Sequence, residues 1–139
     1  MHKETITYID YNGNQRSEDH YFNLNETELA KLELSVNGGL KERLTRLIQE
    51  QNIPEVLKEI EGIIELSYGV KSADGRTFDK DPKHFQTFKQ SEAYNKFFQK
   101  YAFDANNAAK FINAIVPAHM SKSDAELAQV VSPVTASDN

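Results

Sequence analysis

A chain of 139 residues with no cysteine, and with 21 Asp and Glu against 16 Lys and Arg, has the length of one domain and a formal net charge of −5. The missing thiols exclude disulfides, Cys-ligated metals and thiolate catalysis, and the acidic balance argues against sequence-independent nucleic-acid binding. No apolar run approaches the ~20 residues that a membrane span needs, and the N-terminus MHKETITY is too polar for a signal peptide.

Residues 5–11 (TITYIDY) and 15–24 (QRSEDHYFNL) are β-type runs separated by Asn12-Gly13, a strong hairpin signal because the turn needs positive φ. The register stays open. A two-residue loop puts Ile6 and Tyr8 on one face with Ser17, Asp19 and Tyr21, whereas a longer bulged loop exchanges the faces and brings Phe22 over them. Asn25, with Glu28 three residues later, forms a capping box for a helix bearing Leu29, Leu32 and Val36, stopped at Asn37-Gly38-Gly39.

Residues 40–68 carry the richest aliphatic surface. Leu40, Leu44, Leu47 and Ile48, then Ile53, Val56, Leu57, Ile60, Ile63 and Ile64, recur at spacings of three and four. Pro54 divides the run into two helices joined at residues 51–53, since proline suits a first turn and not a helix interior. The second helix has an acidic outer face of Glu55, Glu59, Glu61 and Glu65. Its Gly62 reads either as a close approach by another backbone or as a tolerated imperfection.

Residues 69–82 form a polar loop with an Asp74-Gly75 turn and room for a small hairpin around Val70 and Phe78. Asp74, Asp79 and Asp81 do not have the spacing of a calcium loop. An aromatic section follows: Phe85 and Phe88, then a helix capped by Ser91 whose Tyr94, Phe97, Phe98 and Tyr101 share one stripe. Such a stripe usually faces a core; a protein contact is the second reading, and stacking of single-stranded bases beside Lys89, Lys96 and Lys100 the least favoured. Asp104 caps a last helix with Ala108, Phe111, Ile112 and Ile115 inward, ended by Pro117.

The remainder, 118–139, is small and polar and reads as a flexible tail after a single domain of 1–117. Within it, Ser123 to Glu126 is a capping box followed by Leu127, Val130 and Val131. That segment either folds on a partner or has no structural meaning. The expected fold is therefore α+β, an N-terminal hairpin over about 5–24 packed on about five helices.

Catalytic signatures are lacking. His2, His20, His84 and His119 have no metal-ligand spacing, and no nucleophile elbow, phosphate loop or dinucleotide fingerprint occurs, so neither an enzyme nor a cofactor is expected. Charge is uneven: residues 1–65 hold seven basic and thirteen acidic side chains, residues 66–103 seven and four. A polarity of this size suits steering of a protein partner.

The run TITYIDYNGNQRSEDHYFNLNETELAKLELSVNGGL, with SYGVKSADGRTF, QSEAYNKFF and FINAIVP, resembles the tail assembly chaperones of long-tailed phages infecting Gram-positive hosts, over residues 4–117. That resemblance implies a small protein of the host cytoplasm that coats and solubilises the tape-measure protein and recruits tail-tube subunits. It would do the latter through a frameshift-extended form, and would not stay in the virion. The alternative is a structural tail or neck component. A helical client needs an apolar groove, and the expected one lies between the first half of 40–68 and the aromatic helix, with Leu44, Leu47, Ile48, Tyr94, Phe97, Phe98 and Tyr101 as candidate contacts. The hairpin's open edge also suits pairing with a second copy.

Overall fold

A computed structural model describes residues 1–35, 43, 46, 47 and 49–116. The architecture is α+β. Strands β1 (His2–Ile9), β2 (Gln15–Phe22), β3 (Tyr68–Lys71) and β4 (Phe78–Asp79) form one antiparallel sheet in the order β1-β2-β3-β4. Helices α1 (Glu26–Ser35), α2 (Ile53–Ser67), α3 (Pro82–Lys89), α4 (Glu92–Ala102) and α5 (Ala105–Ile115) complete the described residues. The expected second small hairpin is present, with Val70 opposite Asp79 and Lys71 opposite Phe78.

The hairpin takes the longer loop. Ile6 faces Glu18 and His2 faces Phe22, so Ile6, Tyr8 and Phe22 share the buried face while Thr5, Thr7, Ser17 and Asp19 line the solvent face. Gly13 sits at φ 83, and its N–H bonds the Asp10 carbonyl at 3.0 Å. This is a turn followed by a left-handed residue, which widens the loop beyond two residues. The Asp10 carboxylate accepts from the Asn12 and Asn14 amides, both at 2.9 Å, and from Arg16 Nε at 2.6 Å.

Helix starts follow local chemistry. Asn25 and Glu28 bond each other's amides at 2.8 and 3.0 Å, the reciprocal capping expected from the sequence. Pro54 occupies the first turn of α2, and the reversal before it runs through Gln51 at φ 56, with Asn52 N–H bonded to Leu47 O at 2.9 Å. That six-to-one bond over a left-handed residue is how helices commonly end. Asp104 accepts from Asn107 N–H at 3.0 Å to start α5. Helix α3 was not among the elements expected from the sequence. Its Asp81 accepts from Lys83 N–H at 2.9 Å with Pro82 at the first turn, a capping pair hidden at the end of a polar loop.

In α2, Val56, Ile60, Ile63 and Ile64 are buried, whereas Ile53, expected on the same stripe, is 54 % exposed at the helix start. A Cβ built on Gly62 meets nothing within 4 Å, so no close approach by the described residues accounts for this glycine. Backbone ties draw the ends of the elements together: Asn23 N–H to Ser67 O and Leu24 N–H to Ile115 O, both 2.8 Å. The Lys80 ammonium joins the same place, donating to Asn23 O, Glu28 Oε2 and Leu66 O at 2.6, 2.7 and 2.9 Å. The first helix of the 40–68 pair, the helix stop at 37–39 and the tail 118–139 lie largely or wholly outside the described residues.

The core is aromatic. Phe22, fully buried, stacks on Phe97 at 4.6 Å and 8°, and meets Tyr68, Phe88 and Phe111 edge-on at 5.4, 6.1 and 5.4 Å. His20 enters the same cluster 4.5 Å from the Phe88 ring, with Nδ1 2.9 Å from the Tyr68 hydroxyl. Burial holds its pKa below the ordinary 6.5, against the opposing pull of Glu18 and Asp19. Burial also raises Glu4, but hydrogen bonds from Lys100, Tyr101 and His2 outweigh it and leave the carboxyl below the usual 4.5.

Two predictions follow from this packing. Gly62→Ala adds a methyl into open space on a helix and is expected to raise the unfolding free energy by about 1 kcal/mol in urea titrations. For pH, the unfolded chain protonates His20 before the folded one does, so stability falls as pH drops below about 6.5. Glu4's contribution is kept above about 4.5 and lost as pH falls through its folded pKa. His20→Phe should flatten the first loss and spare the second, and a pH profile parallel to the wild type would refute the assignment.

Candidate protein-binding surface

The expected contact residues separate by depth. Ser91 starts α4 by accepting from Tyr94 N–H at 3.4 Å and donating to Phe88 O at 2.7 Å, which sets the helix's rotation against α3. In that rotation Phe97, 1 % exposed, and Tyr101, 6 % exposed, point at the sheet. Tyr101's hydroxyl donates to Glu4 Oε1 at 2.7 Å, and Lys100 Nζ donates to Glu4 Oε2 at 2.7 Å while lying 5.0 Å from the Tyr101 ring centre. Leu47 is likewise buried, 6 % exposed. Three of the seven candidates therefore belong to the core, and a stripe read as a contact surface has its inner half spent on packing. Leu44 and Ile48 lie outside the described residues.

Tyr94 and Phe98 are half-buried along the outer edge of the same stripe. Tyr94 meets Phe85 and Phe88 edge-on at 5.8 and 5.4 Å and stacks with Phe98 at 5.7 Å and 27°. Phe98 in turn meets Phe103 at 6.0 Å and 86°, and Phe103 is 66 % exposed. The result is a ladder of three rings running from the core to solvent. Phe103 was not among the candidates, because it falls out of phase with the stripe at the junction before Asp104. Its only sequence signal is a large aromatic next to a helix cap.

The ladder has an electrostatic edge. The Tyr94 hydroxyl is buried and has no hydrogen-bond partner among the described residues. Its pKa is pushed up by burial first and then by the carboxylates of Glu61 and Glu65. Lys89 bonds Glu61 at 2.6 Å and ties α3 to α2 beside it. The three described histidines have partners nearby: His2 with Glu4, His20 with Tyr68 and His84 with Asp79. Among the described residues no group of three or more His, Cys, Asp or Glu is placed to hold a metal ion, and no helix is long and apolar enough to cross a membrane. What this surface offers is rigid aromatic contact area at low entropic cost.

No curated protein and no solved structure matches the chain significantly. A sequence profile described as phage tail assembly chaperone matches residues 1–138, nearly the whole chain and wider than the resemblance seen over 4–117. The α+β architecture and the aromatic surface just described are thus those of a protein that belongs to the phage tail assembly chaperone family.

Proposed function

We propose that this protein holds the tape-measure protein of a long-tailed phage soluble in the host cytoplasm and leaves before the virion is complete. A frameshift-extended form would bring tail-tube subunits to the same complex. Family membership supports the assembly role, and the ladder Tyr94–Phe98–Phe103 is the observation that carries the client-holding part. A long helical client exposes apolar stripes that aggregate unless covered, and half-exposed rings fixed on a packed helix cover such a stripe with little loss of side-chain freedom. On this reading Phe97, Tyr101 and Leu47 support the surface from beneath, while Tyr94, Phe98 and Phe103 touch the client. Leu44 and Ile48, which flank Leu47 in sequence, would extend it.

Phe98→Glu combined with Phe103→Glu is expected to abolish co-purification with co-expressed tape-measure protein while circular dichroism stays as in the wild type. Retained co-purification overturns the surface assignment. Mass spectrometry of purified virions checks departure: a fixed copy number in the particle would instead make the protein a structural tail or neck component.

A further inference from the structure

The outer face of α2 carries a concave surface. A groove of about 670 Å³ runs along it between Leu32 of α1 and the side chain of Arg43. Its apolar part is Leu32, Ile63 and Leu66, the last 38 % exposed. Its rim holds four carboxylates against two cations, Arg43 and Lys58. Two of the four are already engaged, Glu59 by Arg43 at 2.8 Å and Glu61 by Lys89 at 2.6 Å. Glu55 and Glu65 have no ion pair among the described residues, and neither has Lys58, so the rim keeps one unbalanced negative charge. In the groove lies Gly62, the residue whose helix-weakening presence nothing in the described packing explains. A bare stretch of helix backbone, flanked by leucines and uncovered by the described residues, is what a second helix needs for a close crossing.

We infer that this groove docks a basic amphipathic helix of another protein, crossing α2 at Gly62 with its lysines and arginines set against Glu55 and Glu65. The inference rests on the client-holding reading and gives the client a chemistry. Charge complementarity selects this occupant. The chain's own 118–139 segment has one lysine, Lys122, against Asp124, Glu126 and Asp138, and the rim repels it. Glu61 and Glu65 of the groove also act on Tyr94, so the two surfaces share these carboxylates.

Fluorescence anisotropy with a designed helical peptide of leucine, alanine and lysine tests this, with the same peptide carrying glutamate for lysine as its counterpart. The lysine peptide is expected to bind the wild-type protein, to weaken as salt rises, and to exceed the glutamate peptide by at least about tenfold in affinity. Gly62→Phe keeps every charge, removes the glycine's helix penalty and starts from a Cβ that meets no described atom within 4 Å, so it should fold with a melting temperature no lower than the wild type and yet lose at least about tenfold in affinity. The double variant Glu55→Gln, Glu65→Gln should show a similar loss and a smaller salt dependence. Equal binding of the two peptides, or unchanged binding by folded Gly62→Phe, overturns the proposal. So does displacement of the lysine peptide by a 118–139 peptide, or a self-associated mass that Gly62→Phe abolishes. The assay contains no tape-measure protein, so its failure removes the groove alone, while the co-purification experiment judges the client itself.

Discussion

The structure depends on Phe22 reaching the inner face of the hairpin. Side chains alternate along a strand, so one residue's change in loop length would turn this ring to solvent and Tyr21 inward. The choice is made about 25 Å away by a solvent-exposed turn, taking about 3.3 Å per strand residue. There Gly13 adopts a left-handed backbone, and Asp10 gathers two amides and Arg16, whose guanidinium does most to hold the Asp10 carboxyl below its usual range. Once inward, Phe22 stacks on Phe97 and thereby sets the rotation of α4, and its backbone pairs with Tyr68 to bring α2 and β3 to the sheet. A polar surface turn thus decides which faces of two helices are spent on the core.

What the sequence made legible is the chemistry that acts over three or four residues. Asn25 with Glu28, Pro54, Ser91 and Asp104 each announced a helix start, because a cap satisfies amides within one turn. The same logic at Asp81-Pro82 was obscured by the turn-rich loop before it, and α3 went unread. The hairpin register and the division of the aromatic stripe were not legible for a different reason. Tyr101 goes inward because its hydroxyl meets Glu4, a partner 97 residues away, and Leu47 goes inward because it joins the buried cluster of α2 and the sheet. Periodicity identifies a stripe, but which ring of the stripe meets solvent is a tertiary property.

The uneven charge along the chain has a similar resolution. The basic 66–103 segment places Lys80 on Glu28, Lys89 on Glu61 and Lys100 on Glu4, so three of its seven cations are matched to carboxylates of the acidic N-terminal part. Much of the polarity that reads as steering for a partner is therefore internal alignment. Partly exposed pairs of this kind contribute little energy, about 0–1 kcal/mol each.

The Lys80 ammonium has a consequence of another kind. Its three N–H groups are all engaged, by partners 57, 52 and 14 residues away in sequence. Together these bonds join the segment after β2, the start of α1 and the end of α2 at one ammonium. A single side chain thus stands where three local contacts would otherwise be needed, and its loss removes a donor from all three acceptors at once.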